Sequence, residues 1–361
     1  MLYLNSNNQQ VVAFFCREKI YKEMNILVTG AAGFIGAALS DRLIREGHRV
    51  VGIDNLNDYY DVRLKMARLK TLGVDVEYDK CSNKNHSFVF CKIDISDISQ
   101  LECVFSENSF DVVVNLAAQA GVRYSITNPQ AYVSSNLIGF ANILECCRNY
   151  NISKLVYASS SSVYGANTKI PFCETDRVDS PVSLYAATKK SNELMAYSYS
   201  KLYGFKTIGL RYFTVYGPWG RPDMAPMLFA KAIQNNEEIR VFNNGNMQRD
   251  FTYVDDIVEG TYRTIISDYD ASIFKCDVLS EVFNIGNGQP VQLMDFITCL
   301  ELNFESESKK KFEGMQPGDV YVTYADTTKL QNAVDYKPIV SLADGIKVFA
   351  EWYKSDKNPL R

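Results

Sequence analysis

The chain has 361 residues, and its 38 Lys and Arg against 42 Asp and Glu leave a formal net charge of −4, which argues against a general nucleic-acid binder because phosphates require a basic surface. With 47% hydrophobic residues the chain can bury a large core, but no run reaches the roughly 18 apolar residues of a membrane span and no signal peptide is recognised, so we expect a cytosolic protein. Nine cysteines without a C-x-x-C pair and only two histidines, His48 and His86, argue against a metal site, a disulfide framework and a Ser-His-Asp hydrolase.

Residues 1–23 form an N-terminal extension without a clear period, and the pattern changes at Met24. From there to residue 212, short apolar runs alternate with stretches of helical spacing, which indicates βαβ units and a parallel sheet covered on both faces. We therefore predict an α/β fold with a Rossmann-type doubly wound parallel sheet over residues 24–212. The predicted strands are Asn25–Thr29, Arg49–Ile53, Phe88–Ile93, Asp111–Asn115, Lys154–Ala158 and Lys206–Leu210, and the predicted helices are Phe34–Glu46, Ser96–Glu107, Pro129–Tyr150 and Ser183–Tyr203.

After residue 212 the alternation loosens, and prolines and glycines such as Gly217-Pro218 and Pro317-Gly318 interrupt the chain. Short strands and helices between such interruptions favour a second, smaller α/β lobe over residues 213–361.

The first predicted strand runs into a glycine-rich turn, Gly30-Ala-Ala-Gly33-Phe-Ile-Gly36, that opens the first helix. Gly30 permits the tight turn, Gly33 lets a pyrophosphate approach the backbone, and Gly36 lets the helix pack against the sheet. Free N–H groups at the helix N-terminus attract the anion. A purely structural turn is the alternative, but the strand before the motif and the helix after it favour a dinucleotide site.

Two carboxylates follow the next strands. Asp54 lies 18 residues after Gly36, where it can bind both ribose hydroxyls of an adenosine and repel a 2′-phosphate. Because Asn55 adds no positive charge, NAD is favoured over NADP. Asp94 is a candidate for the adenine edge, with a helix cap at Ser96 as the alternative.

Tyr185 and Lys189 are four residues apart in a predicted helix, so the phenol and the ammonium share one face. A neighbouring ammonium and a positive nicotinamide ring both lower the pKa of a phenol from its ordinary value of about 10, so that the tyrosine can take a proton near neutral pH. The pair follows the serine run Ser159–Ser162, which lies after a buried strand and faces the crevice where open sheets bind ligands. A serine-rich turn without function is the alternative.

With this glycine spacing, the sequence resembles the extended short-chain dehydrogenase/reductase family, and within it the NAD-dependent epimerases and dehydratases, over most of residues 24–355. The resemblance implies that Tyr185, Lys189 and Ser160 are catalytic, with Ser160 relaying a proton to Tyr185. The cofactor-binding residues that we predict are Gly30, Gly33, Phe34, Ile35, Gly36, Asp54, Asn55, Asp94, Ile95, Ala117, Ala118, Gln119, Asn136, Tyr185, Lys189 and Tyr212.

Two serines restrict the reactions that the resemblance implies. Sugar-nucleotide dehydratases carry Asp and Glu at the positions of Ser161 and Ser162, and UDP-glucuronate decarboxylases carry Glu at the second. The tyrosine, the lysine and bound NAD remain, and these suffice for oxidation and reduction at C4 of the sugar, which is epimerisation. The segments similar to UDP-glucuronate 4-epimerases are Asn55–Asp61, Ala117–Ser125, Arg211–Met224 and Gln248–Asp256.

The resemblance implies epimerisation of UDP-glucuronate to UDP-galacturonate through a 4-keto intermediate, with the substrate held mainly by residues 213–361. The alternatives are a 4-epimerase for a neutral UDP-sugar and a non-catalytic NAD-binding scaffold. For Arg221 and Arg249 the alternative to binding the diphosphate is a solvated surface charge, and for Phe242 the alternative is ordinary core packing. The candidates are Ser160, Ser161, Ser162, Thr214 and Arg123 for the carboxylate, Arg221 and Arg249 for the diphosphate, Phe242 for uracil and Asp319 for the uridine ribose.

We also expect a homodimer. The long predicted helices Pro129–Tyr150 and Ser183–Tyr203 carry apolar residues on more than one face, and two such pairs form a four-helix bundle, as is common in the resembled family.

Overall fold

Strands and helices alternate through the first part of the chain, as the sequence predicts. The computed structural model describes residues 22–77, 80–83, 86–269, 271–274, 277–315 and 321–361, so almost all of the N-terminal extension, and also Asp319, lie outside the described residues. The strands are β1 (Asn25–Thr29), β2 (Arg49–Asp54), β3 (Val74–Glu77), β4 (Lys80–Asn83), β5 (Phe88–Lys92), β6 (Val112–Asn115), β7 (Lys154–Ser160), β8 (Lys206–Tyr212), β9 (Thr214–Tyr216), β10 (Glu238–Val241), β11 (Gln248–Tyr253), β12 (Ser280–Ile285), β13 (Pro290–Gln292), β14 (Lys309–Phe312) and β15 (Val322–Thr323).

The helices cover both faces of the sheet that these strands build. They are α1 (Phe34–Arg45), α2 (Val62–Thr71), α3 (Ile98–Glu107), α4 (Tyr124–Thr127), α5 (Pro129–Tyr132), α6 (Gly139–Asn149), α7 (Leu184–Tyr203), α8 (Ala225–Gln234), α9 (Val254–Ile266), α10 (Leu293–Phe304), α11 (Thr328–Val334) and α12 (Leu342–Lys354). Within the described part of the chain, none of them combines the length and the apolar character that a membrane span requires.

Seven parallel strands form the central sheet in the order β12-β8-β7-β6-β1-β2-β5. The strands are continuous apolar runs, and Ile26, Leu27 and Val28 of β1 are fully buried because helices cover both faces. The strand order reverses between β1 and β6. Open α/β sheets bind ligands outside the carboxyl ends of their strands at such a switch point, so this position locates the site.

One strand of the central sheet comes from the C-terminal part of the chain. β12 pairs in parallel with β8, which places Phe283 beside Leu210 and Ile285 beside Tyr212. The sheet therefore draws on residues beyond 212. A second, four-stranded sheet contains β9, β11, β13 and β15, and its pairing of Thr214 with Phe251 brings β9 against β11 directly after β8.

The predicted long helix over residues 129–150 is interrupted by a π-helical segment, Val133–Ile138, between α5 and α6. Asn136 lies in this segment, and its backbone carbonyl accepts a hydrogen bond from Asn192 Nδ2 at 2.6 Å. Engagement of a carbonyl by a side chain from another helix is one cause of such local widening. The segment packs against α7 and thereby against the site.

Candidate active site

A cavity of about 370 Å³ opens at the carboxyl ends of β1, β6 and β7, at the switch point of the sheet. It gathers most of the predicted site residues from distant parts of the sequence. Those that line it are Gly30, Gly33, Phe34, Ile35, Gly36, Asp54, Asn55, Asp94, Ile95, Ala117, Ala118, Gln119, Ser160, Ser161, Ser162, Tyr185, Lys189, Tyr212, Thr214 and Arg221.

Among the described residues, four predicted site residues lie outside the lining of this cavity: Asn136, Arg123, Phe242 and Arg249. Asn136 is buried behind it, and its side chain both accepts from the Gln119 amide (2.8 Å) and donates to the Gln119 carbonyl (3.0 Å), so it holds the wall instead of facing the cavity. The Arg123 guanidinium stacks over the Phe242 ring at 4.9 Å. Arg249 Nη1 donates to the backbone carbonyl of Gln248 at 2.8 Å.

The glycine turn brings backbone segments so close together that a side chain would collide with them. A Cβ at Gly36 would lie 2.1 Å from the Gly30 carbonyl oxygen, and one at Gly33 would lie 2.9 Å from it. Gly30 has a positive φ of 69° and passes against the backbone of Ala117. Residues of the first turn of α1 line the cavity, and their N–H groups lack intrahelical acceptors. This arrangement fits the pyrophosphate of NAD.

Asp54 and Asp94 stand at the end of the cavity where the adenosine would lie. Asp54 Oδ1 accepts a hydrogen bond from the Leu56 amide at 2.8 Å. Asp94 accepts from Asn55 Nδ2 (2.8 Å) and from the Ser96 amide and hydroxyl (2.8 and 2.7 Å), so it caps the turn at Ser96 and also lines the cavity. Burial opposes its ionisation, but the hydrogen bonds from Asn55 and Ser96 outweigh burial and hold the pKa of Asp94 below its ordinary value.

The structure adds cavity residues that the sequence pattern does not predict. The main one is Lys65, whose Nζ lies 3.6 Å from Asp54 Oδ1 and donates to Asn57 Oδ1 at 2.9 Å. Its side chain is 6% exposed. The signal that could have found it is a lysine in register with the apolar positions Leu64 and Leu69 on the buried face of α2. Other added polar residues include Asn57, Tyr59, Tyr60 and Ser135.

Three consecutive residues at the end of β7 meet three residues spaced four apart on α7. The Ser160 hydroxyl hydrogen-bonds the Tyr185 phenol, and Lys189 Nζ donates to the Ala158 carbonyl at 2.8 Å. The Ser159 hydroxyl donates to Glu193 at 2.7 Å. Because positions i, i+4 and i+8 share a helix face, α7 fixes the end of the strand and the serine turn through one row of side chains.

Burial dominates the ionisation of the Tyr185 and Lys189 side chains. Burial raises the pKa of Tyr185, and the Ser160 hydroxyl and the Arg221 guanidinium oppose this rise. Burial lowers the pKa of Lys189 to about 8. Arg221 is the cation that opposes the rise, whereas the Lys189 ammonium donates to a backbone carbonyl, and the expectation that Lys189 lowers the pKa of Tyr185 stays a prediction.

Arg221 is clamped in the cavity wall. Asp223 accepts hydrogen bonds from Arg221 Nε (3.1 Å) and Nη2 (2.6 Å), and the Tyr59 hydroxyl donates to the same carboxylate at 3.0 Å. Burial, together with the Asp223 charge, raises the pKa of Tyr59 to about 12, so it remains a neutral donor. The bidentate ion pair holds the Arg221 guanidinium in one orientation in the wall of the cavity that Tyr185 also lines.

The chain is similar to known proteins over most of its length. The chain is 51% identical over 339 residues to Protein CapI of Staphylococcus aureus (91% of this chain, 98% of that protein) and 44% identical over 341 residues to UDP-glucuronate 4-epimerase 4 of Arabidopsis thaliana (92% and 76%). A crystal structure of UDP-glucuronic acid 4-epimerase from Bacillus cereus in complex with UDP-glucuronic acid and NAD has a TM-score of 0.80 at 35% identity, over 92% of this chain and 99% of that chain. UDP-glucose 4-epimerase from Thermotoga maritima has a TM-score of 0.79 at 30% identity, over 92% and 99%. Residues 26–286 match the NAD dependent epimerase/dehydratase family, and the chain belongs to this family, with NAD as its cofactor.

Proposed function

We propose that this protein is a UDP-glucuronate 4-epimerase, which converts UDP-glucuronate to UDP-galacturonate through a transient 4-keto sugar. The observation that carries the proposal is that hydroxyl donors from Ser160–Ser162 and Thr214 line the same cavity as Tyr185. A hexuronate needs donors for its carboxylate in a site that excludes water. Support also comes from relatives at 44% identity that carry this name.

Tyr185 is the proposed acid and base. When bound, NAD supplies the oxidant that turns C4 into a ketone and the reductant that restores the alcohol. The Tyr185 phenol oxygen takes the proton of the 4-hydroxyl with Ser160 as relay, and the same oxygen returns a proton to the 4-oxygen on the way back. Lys189 orients the end of β7 through its bond to the Ala158 carbonyl.

The serine turn is the proposed binding site for the carboxylate. The 4-keto sugar is a β-keto acid, which loses CO₂ when the breaking C–C bond to the carboxylate leaves the plane of the ketone and its electron pair passes into the enolate. Ser160 Oγ accepts from the Ser162 amide and donates to Ser162 Oγ, both at 3.1 Å, so the turn presents fixed hydroxyls. Hydroxyls hold the carboxylate in place without supplying the acidic side chain that assists decarboxylation.

The UDP end completes the proposal. We assign the diphosphate to Arg221 and Arg249, uracil to the region of Phe242 and the uridine ribose to Asp319, so that residues 213–361 mainly hold the substrate. Arg123 and Arg240 approach the Phe242 ring at 4.9 and 5.1 Å, so this ring is already paired with cations and not with other core residues alone.

A homodimer is also part of the proposal. Helices α6 and α7 pack together. Apolar side chains are exposed at Ile138 (50%), in the π-helical segment before α6, and at Leu194 (57%) and Leu202 (70%) on α7. By contrast, Phe140 and Leu144 are core residues and are not available to a partner. Light scattering at micromolar concentration should give twice the chain mass, and Leu194→Asp should halve it. The matched control is Leu302→Asp on α10, which is 73% exposed and should leave the mass unchanged.

We place the protein in the cytosol. Cys146 and Cys147 are adjacent, buried free cysteines, and burial raises the pKa of both thiols. Free thiols of this kind are typical of reducing compartments.

The reaction is tested by incubating the purified protein with UDP-glucuronate and with UDP-glucose in separate samples, and by following the products with proton NMR. We expect UDP-galacturonate from the first and little turnover of the second. Turnover of UDP-glucose alone would assign the neutral-sugar reaction instead. No product from either sugar by a protein with NAD bound would indicate the non-catalytic scaffold.

A further inference from the structure

A buried network of side chains holds the serine turn, Ser160–Ser162, from behind. The Arg211 guanidinium donates from Nε and Nη2 to the Glu193 carboxylate at 2.8 and 2.9 Å. Its remaining nitrogen, Nη1, donates to the Tyr164 hydroxyl at 3.0 Å. Glu193 also accepts from the Ser159 hydroxyl at 2.7 Å. Because Ser159 directly precedes the turn and Tyr164 follows it two residues later, this series of hydrogen bonds holds the turn on both sides.

The direction of each hydrogen bond at Tyr164 follows from its neighbours. Asn284 Nδ2 donates to the backbone carbonyls of Phe172 and Asp326 at 2.7 and 3.1 Å, so Oδ1 of the same amide faces Tyr164. The Tyr164 hydroxyl donates to this Oδ1 at 2.6 Å and therefore accepts from Arg211. Removal of this one hydroxyl thus disconnects Arg211 from the far side of the turn.

The network acts on the turn and not directly on a ligand. Among the described residues, the cavity lining includes Ser159 but not Arg211, Glu193 or Tyr164, and all four side chains are at most 5% exposed. Burial opposes the ionisation of Glu193, but the hydrogen bonds and the charge of Arg211, with the bond from Ser159, keep its pKa below the ordinary value. A buried ion pair adds little stability compared with well-packed apolar residues, so stability alone does not account for this pair.

We propose that Arg211 is a positioning residue that keeps the serine turn rigid and thereby suppresses loss of CO₂ from the 4-keto sugar. The inference rests on the proposed function, in which the serine hydroxyls hold the substrate carboxylate. Decarboxylation breaks the bond from C5 to the carboxylate carbon, and its electron pair enters an enolate that then takes a proton at C5. A turn that shifts lets this bond leave the plane of the ketone. When the resulting 4-keto pentose departs, one NADH remains for each CO₂ lost.

The test removes the Tyr164 hydroxyl and measures how turnovers divide between the two outcomes. Tyr164→Phe keeps the ring, which stacks on Phe172 at 4.5 Å. The matched control is Tyr157→Phe on β7, because Tyr157 is fully buried and its hydroxyl has no hydrogen-bond partner among the described residues. The wild type and both variants are loaded with NAD and incubated with UDP-glucuronate. The ratio of NADH to UDP-galacturonate formed gives the share of turnovers lost to decarboxylation.

Tyr164→Phe should raise this ratio by roughly two- to tenfold, as expected for the loss of one hydrogen bond from the network. The mobility of the turn is measured without sugar, by hydrogen exchange of the Ser162 and Gly165 amides, which donate to Ser160 Oγ and to the Ser162 carbonyl. These amides should exchange faster by a similar factor. Tyr157→Phe should match the wild type in both measurements. A Tyr164→Phe protein with the wild-type ratio would overturn the proposal, however fast its amides exchange.

Two further measurements separate the possible failures. Thermal unfolding shows whether each variant is folded. If Tyr164→Phe is not, Ser159→Ala opens the network on the other side of the turn: a raised ratio supports the proposal, and the wild-type ratio contradicts it. A wild type that does not convert UDP-glucuronate contradicts the proposed function and, with it, the assignment of the turn to a carboxylate. The exchange measurement then still shows whether the Arg211 network holds the turn.

Discussion

The Ser159 hydroxyl donates to the Glu193 carboxylate at 2.7 Å, and this bond joins the end of β7 to the middle of α7 directly beneath the serine turn. Arg211 binds the same carboxylate through Nε and Nη2 at 2.8 and 2.9 Å. Both side chains of this ion pair are 4% exposed. The pair connects the helix that carries Tyr185 to strand β8.

Loss of Glu193 should destabilise the fold strongly. Glu193→Ala leaves the Arg211 charge buried without its partner, which costs about 3–5 kcal/mol in the free energy of unfolding. Urea denaturation measures this change. Asp179→Ala is the control, because it breaks an ion pair with Arg177 whose side chains are 58% and 87% exposed and should cost less than about 1 kcal/mol. Equal losses in the two variants would contradict the proposed role of the buried pair.

Tyr185→Phe should abolish epimerisation and leave NAD bound. The variant loses the phenol that moves the proton, a contribution of about 10²–10⁴-fold, but keeps the ring, which packs edge-on against Tyr132 at 6.0 Å. Turnover with UDP-glucuronate and the ratio of bound NAD to protein are the two measurements. Turnover near the wild-type rate would remove Tyr185 from the mechanism.

Thr214→Val should lower the efficiency with UDP-glucuronate by roughly ten- to a hundredfold, because it keeps the shape of the side chain and removes a hydroxyl donor in the cavity wall. A decarboxylated 4-keto pentose should appear by mass spectrometry, since a less constrained carboxylate can rotate. Thr214→Ser retains the donor and serves as the control. Unchanged kinetics without this by-product would assign the carboxylate to the serines alone.

The buried ammonium of Lys189 should make stability depend on pH. Because burial lowers its pKa in the folded protein to about 8 from an ordinary value of 10.5, the unfolded chain binds more protons between these values. The free energy of unfolding contributed by this group therefore rises with pH across that window, by roughly 3 kcal/mol at most.

The measurement for Lys189 is the difference in unfolding free energy between the wild type and Lys189→Met at several pH values. Lys154, whose pKa burial also lowers to about 8, is present in both proteins and cancels. The wild type should gain on the variant as pH rises from 8 to 10.5. A difference that stays constant with pH would contradict the prediction.

Gly36→Ala should impair both folding and NAD binding, because its Cβ would overlap the Gly30 carbonyl oxygen. Overpacking of this kind costs about 1–3 kcal/mol, and relief of the overlap would deform the pyrophosphate turn. Gly314→Ala is the control, since nothing lies within 4 Å of its Cβ position and its φ is not positive. Thermal unfolding with and without NAD distinguishes the two, and equal behaviour of the variants would contradict the argument.

Local pattern predicts the central sheet well because buried parallel strands are continuous apolar runs. Helix α2 is harder to predict, because two of the four residues on its buried face, Lys65 and Arg68, are charged and only Leu64 and Leu69 mark an apolar period. A buried lysine in such a helix resembles a solvent-exposed one unless its register with these leucines is considered.

Relations between distant segments are the other part that the sequence does not predict. The proximity of Arg221 to Tyr185 depends on the loop after β9, and the four-residue spacing of Lys189 suggested a nearer cation. The interruption near Asn136 depends on Asn192, which lies on a different helix. Such contacts depend on tertiary packing, which hydrophobic periodicity does not encode.

The position of β12 late in the sequence also affects how the chain folds during its synthesis. Roughly 70 residues separate the end of β8 from the start of β12. During synthesis, strand β8, which is almost wholly buried in the folded protein, therefore lacks its outer neighbour for a time on the order of seconds. An unpaired edge of this kind is a template for association with other chains. A fragment that stops near residue 212 would expose that edge permanently. We therefore expect the nucleotide-binding half to aggregate when it is expressed without the rest of the chain.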